Sequence, residues 1–145
     1  MARWSPPIGQ DVSPKPIPSA RILVVDDYEP WRRWVCSLLA AHEHLHVVGD
    51  VADGLEAVQR AQVLKPDLIL LDIGLPTLNG IEAVHQIAKL VPEAKVVFVT
   101  GHNDSEFVTA ALSNGACGYI LKEEAASELL PAIEAVLGDA EVSLA

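Results

Sequence analysis

Four short apolar runs in this chain each end on a polar residue, and the endings are of three chemical types. Ile22-Leu23-Val24-Val25 leads into Asp26-Asp27, Leu68-Ile69-Leu70-Leu71 into Asp72, Val96-Val97-Phe98-Val99 into Thr100, and Gly118-Tyr119-Ile120-Leu121 into Lys122. Continuous apolar runs of this length read as strands buried on both faces, which belong to parallel sheets covered by helices. In such sheets ligands bind in the crevice outside the carboxyl ends of the strands. The pattern therefore aims carboxylates, a hydroxyl and an ammonium at one place.

The segments between the runs carry helical periodicity. Pro30 suits a helix first turn, and Trp31, Val35, Leu38 and Leu39 recur behind it at helical spacing. His46-Val47-Val48-Gly49 reads as a short second strand, with Asp50 and Asp53 as turn residues after it. A second helix follows with Leu55, Val58 and Ala61 on one face, closed by Lys65-Pro66. Asn79-Gly80 reads as a turn before a third helix with Ile81, Val84, Ile87 and Ala88 inward. Ser105 caps a fourth helix that stops at Asn114-Gly115, and Leu129, Leu130, Ile133, Val136 and Leu137 mark a fifth. Five βα units in a row give an α/β, three-layer, doubly wound (βα)5 fold. Right-handed crossovers require the strand order to reverse so that both faces are covered. The flavodoxin-like order 2-1-3-4-5 fits this length and sets Asp26, Asp27 and Asp72 at the switch point.

With 145 residues, half of them apolar, the chain suffices for one domain with a substantial core. Residues 1–19, with five prolines, read as a flexible or polyproline-like tail, 20–140 as the domain, and 141–145 as a tail or the start of a linker. A net charge of −10 argues against direct nucleic-acid binding, which needs clustered Lys and Arg. No run reaches the roughly 20 apolar residues of a membrane span, and the N-terminus lacks a signal-peptide core, so a cytoplasmic location is expected. Cys36 and Cys117 read as buried free thiols, and the alternating His42, His44 and His46 as a solvated connection rather than a metal site.

Three clustered carboxylates repel one another, and a divalent cation relieves that repulsion. Hard oxygen ligands suit Mg²⁺, which binds through one or two carboxylates plus a phosphate oxygen. A carboxylate beside such an ion can attack a phosphoryl group and become an aspartyl phosphate. Lys122 would supply positive charge to the phosphoryl oxygens, and the Thr100 hydroxyl a hydrogen bond.

Over about residues 20 to 140 the chain resembles the receiver domain of bacterial two-component response regulators. The matching residues are Asp26-Asp27, Asp72 with Pro76 and Gly80 at the expected offsets, Thr100-Gly101, and Tyr119-x-x-Lys122. The resemblance implies that Asp72 is the phosphoacceptor and that Asp27, Asp72 and the Gly74 carbonyl hold Mg²⁺, with Asp26 in the outer shell. It also implies a Thr100/Tyr119 switch pair, with Lys122 on the phosphoryl group. The implied partner is a sensor histidine kinase or phosphotransfer protein, with a homodimer on phosphorylation as a further expectation. The implied role is signalling rather than turnover of external substrates, with output through the surface formed by helix four, strand five and helix five. Glu123 follows Lys122 where many receivers carry proline, as in receivers joined to LuxR-type (NarL/FixJ-like) DNA-binding domains, so no cis peptide is presumed there. The resemblance further implies that Gly74 and His102 tune the phosphoryl lifetime. Eight residues follow Leu137, fewer than a helix-turn-helix domain needs, so a stand-alone receiver and the receiver portion of a longer regulator both fit.

Other readings fare less well. A flavin or nucleotide module needs a phosphate-cradling loop after the first strand, where Asp26-Asp27-Tyr28-Glu29 would repel phosphate. An aspartyl-phosphate hydrolase would carry a second acid two residues past Asp72, where Gly74 stands. A degenerate receiver acting as a phosphorylation-independent docking module is the remaining alternative, and the intact set of site residues speaks against it.

Overall fold

A computed structural model describes residues 19–101 and 105–138. Its elements alternate as β1 (Ala20–Val25), α1 (Glu29–Ala40), β2 (Leu45–Val51), α2 (Gly54–Leu64), β3 (Leu68–Leu71), α3 (Gly80–Leu90), β4 (Lys95–Thr100), α4 (Ser105–Ser113), β5 (Gly118–Leu121) and α5 (Ala125–Gly138). A 3₁₀ turn over Lys122–Glu124 joins β5 to α5. The five strands form one parallel sheet in the order β2-β1-β3-β4-β5, as the sequence predicts. The proline-rich segment, His102 and the last seven residues lie outside the described residues. Among the described residues no helix is long and apolar enough to cross a membrane.

Alternation along the strands divides the core in two. Leu23, Val25, Ile69, Leu71, Val96 and Phe98 pack under α2, α3 and α4. Ile22, Val24, Leu68, Leu70, Val97, Val99 and Ile120 pack under α1 and α5. Successive side chains of a strand point to opposite faces, so a strand apolar at every position has a layer of helices on each side.

Several sequence expectations need correction. The second strand is longer than four residues: it runs to Val51, and Val48 is the extra residue where the pairing steps from Ile22↔Val47 to Leu23↔Gly49. Asp50 therefore lies in β2, where it pairs with Arg32 at 3.2 Å, and Asp53 is the N-cap of α2, accepting a hydrogen bond from the Glu56 amide at 2.7 Å. In α2 the inward face is Gly54, Ala57, Val58 and Ala61, while Leu55 is exposed. In α3 the expected Ala88 is exposed and Ala83 takes the buried position. Cys36 and Cys117 are free but half-buried rather than buried. Among the described residues every peptide bond is trans.

The loop from β3 to α3 is the tightest part of the fold. Gly80 lies so close to the end of β3 that a Cβ there would sit 2.1 Å from the Asp72 carbonyl oxygen. Likewise, a Cβ on Gly54 would sit 1.7 Å from the Leu78 carbonyl oxygen. Asn79 caps α3 by accepting from the Glu82 amide at 2.9 Å. Thr77, at the exposed tip, has a φ of 68°, a left-handed conformation that a β-branched residue adopts at a cost. Thr77→Gly should therefore raise the thermal midpoint by about 2–4 °C, the relieved strain exceeding the added chain entropy. Gly80→Ala should lower stability by about 2 kcal/mol or more, because both clashing partners are backbone. Thermal unfolding of both variants beside wild type checks the pair, and a Thr77→Gly protein no more stable than wild type would remove strain from the account.

Candidate functional site

Parallel register builds the site. Val25 pairs with Leu71 on one side and with Val51 on the other, so Asp26 and Asp72 each stand one residue beyond neighbouring strand ends. The backbone continues the ladder for one more step. The Asp26 amide donates to the Val51 carbonyl at 3.1 Å, and the Asp72 amide to the Val25 carbonyl at 3.0 Å. Asp26 and Asp72 are buried and Asp27 is exposed at the rim. One carboxylate oxygen from each of the three lies within 4.8 Å of the others. Among the described residues this is the one group of three or more potential metal ligands.

Each buried acid is held by a backbone amide. Asp26 Oδ1 accepts from the Tyr28 amide at 2.8 Å, and Asp72 Oδ1 from its neighbour Ile73 at 2.9 Å. The Asp26 carbonyl also accepts from Arg32 Nη1 at 2.8 Å, which ties the acidic turn to α1. Asp26 Oδ2 is buried and accepts no hydrogen bond in good geometry; its close neighbour is the Lys122 ammonium at 2.5 Å. Lys122 reaches the site from the turn after β5, and its Nζ lies 3.8 Å from Asp72 Oδ2. Burial pushes the Asp72 carboxyl above the ordinary carboxylate range, and negative Asp26 adds to the rise. Lys122 and the Ile73 amide pull it back, and Asp27 adds a smaller upward push. Three acids facing one ammonium leave a surplus of negative charge, which a divalent cation would balance.

The other expected residues fall around this cluster. Thr100, fully buried, ends β4 on the far side of β3 and is paired with Leu121. Tyr119 pairs with Phe98, which puts it on the same sheet face as Thr100, and 36% of its surface is exposed. Gly74 follows Ile73 in the exposed part of the β3–α3 loop. Trp31, read from the sequence as a packing residue of the first helix, is an addition to the site. It packs against the α1/α5 core, and Lys122 Nζ lies 5.2 Å from its ring centroid. Arg32 was passed over, since its contribution is to a backbone carbonyl, and Gly80, named as a motif and turn residue, gains its close approach to the Asp72 carbonyl.

Comparison with known proteins agrees with this arrangement. A family model for the response regulator receiver domain matches residues 22–134. The transcriptional regulatory protein DegU of Brevibacillus brevis is 38% identical over 116 residues, covering 80% of this chain and 49% of that protein. The crystal structure of a LuxR-family two-component response regulator from Aurantimonas sp. SI85-9A1 matches with a TM-score of 0.79 at 35% identity, over 83% of this chain and 86% of that one. The response regulator domain of Thermotoga maritima CheB matches with a TM-score of 0.77 at 35% identity, over 83% of this chain and 97% of that one. The chain spans about half the length of the curated relatives it matches. An acidic crevice at the strand ends of a 2-1-3-4-5 sheet and a family match across nearly all of that sheet lead to one conclusion: the chain belongs to the response regulator receiver domain family.

Proposed function

We propose that Asp72 is the phosphoacceptor of this receiver and that a histidine kinase or phosphotransfer protein is its donor. The observation that carries the reading is the placing of Asp72: buried at the end of a central strand, beside two further acids and one ammonium. An Asp72 carboxylate oxygen attacks the phosphorus of the donor's phosphohistidine. The P–O bond forms as the P–N bond breaks, and the imidazole leaves. Lys122, already 3.8 Å from Asp72 Oδ2, turns to the phosphoryl oxygens, and the Thr100 hydroxyl donates to them. Asp27, Asp72 and the Gly74 carbonyl fit Mg²⁺, with Asp26 in the outer shell, because the donor set is hard oxygen and the buried Asp26 Oδ2 has no good hydrogen bond. When bound, the ion neutralises charge on the acids and on the incoming phosphoryl group.

Thr100 and Tyr119 lie on one sheet face, so drawing the Thr100 hydroxyl toward the phosphoryl group opens space for the exposed Tyr119 ring to move inward. Output then passes through the α4–β5–α5 surface, to a protein partner, a second phosphorylated copy or a following domain. The working unit is residues 20–140, acting in the cytoplasm without touching nucleic acid or membrane itself. Intact-mass measurement with Mg²⁺ and acetyl phosphate tests the acceptor. Wild type should gain one phosphoryl group only with the metal, and Asp72→Asn none. A folded wild type that stays unmodified would make the chain a phosphorylation-independent docking module.

The raised Asp72 pKa has a thermodynamic consequence. Between the unfolded and folded values the folded protein holds a proton that the unfolded chain has released, so stability falls as pH rises through that interval. The contribution is fully present below the unfolded value and lost above the folded one. Asp72→Asn removes the charge and keeps an oxygen that can accept from Ile73. In cation-free buffer at pH 7 this variant should melt above wild type, and the gap should close toward pH 4 and on adding Mg²⁺. Calorimetry across that pH range checks the sign; a variant less stable than wild type at pH 7 would contradict it.

A further inference from the structure

Lys122 has two tasks that conflict. It neutralises Asp26 at 2.5 Å, yet it must be available to a phosphoryl group on Asp72. A seat made of another carboxylate would hold the ammonium but would also bind the cation. An aromatic face holds a monovalent ammonium through its quadrupole and offers no lone pair to Mg²⁺. From the contacts of Trp31 we infer that its indole is this seat, a positioning residue that keeps the Lys122 ammonium over the pocket when Asp26 is released from it. The inference rests on the receiver reading of Asp72.

Several observations support the assignment. The Nζ lies 5.2 Å from the Trp31 centroid, inside the roughly 6 Å reach of such attraction. Only 24% of the Lys122 side chain is exposed, so the contact is partly shielded from water. The ring is itself fixed. It packs on the α1/α5 core and lies against the Trp34 ring, 5.0 Å between centroids with a 31° tilt, while the Trp31 backbone amide donates to the Tyr28 carbonyl at 3.1 Å. Asp26, Trp31 and Asp72 thus surround one ammonium, and the Trp31 face is the only side of the three that carries no charge.

The test combines kinetics with a spectroscopic signature. Trp31→Leu should slow acetyl-phosphate uptake by about three- to tenfold, and Trp31→Phe should restore most of the rate. In a Lys122→Met background Trp31→Leu should have no further effect, because its partner is gone. By NMR, the Lys122 ε-methylene protons should lie upfield from the indole ring current in wild type, with and without Mg²⁺ and beryllofluoride, and return to ordinary positions in Trp31→Leu. An equal slowing in both lysine backgrounds would show a merely structural role and overturn the proposal, as would the absence of the upfield shift once Mg²⁺ is bound. If wild type accepts no phosphoryl group, the receiver reading fails, and the ring-current shift in the Mg²⁺ form still decides the seat: its presence supports Trp31 and its absence overturns it.

Discussion

Three carboxylates gathered around one ammonium set the terms for this molecule. Bringing Asp26, Asp27 and Asp72 within 4.8 Å costs electrostatic energy, and the Lys122 ammonium offsets only part of it. The rest of the structure holds the acids in place against that cost. Strand pairing carries one residue past the ends of β1 and β3, amides of Tyr28 and Ile73 bind the buried carboxylates, and Arg32 grips the Asp26 carbonyl. On the proposed function, a protein that keeps such a cluster at rest gains a site ready for a cation and a phosphoryl group.

The glycines explain how close the supporting elements come. Gly80 lets the start of α3 lie against the Asp72 carbonyl, and Gly54 lets the start of α2 lie against Leu78 of the same loop. Two helix N-termini therefore brace the β3–α3 connection. Its strained tip at Thr77 is exposed, between Pro76, which accepts from the Gly54 amide at 3.3 Å, and Leu78. Tension and support meet within a few residues of Asp72.

The strands that carry the acids were legible because the four residues before each acid are all apolar, the pattern of a strand covered on both faces. β2 was less so. Its residues are partly exposed, it holds a charged Asp50, and the bulge at Val48 breaks its alternation. Helix faces were readable to within one position, and the misplaced residues, Leu55 and Ala88, sit at the edge of an apolar stripe. The acids and Lys122 were found from their places at strand ends. Trp31 was taken for helix packing, which it also does, because no spacing rule links a helix-one ring to a lysine ninety-one positions later. Gly80 read as an ordinary turn because its role depends on the distance to a carbonyl, which sequence does not show.

A Mg²⁺ titration of the wild-type protein, followed by amide NMR shifts, decides whether the strand-end acids form a cation site under electrostatic tension. If they do, the response is saturable and centred on Asp26, Asp27, Asp72 and Gly74, reaching Lys122 as its ammonium is released. No saturable response, or one centred away from these strand ends, would contradict such a site.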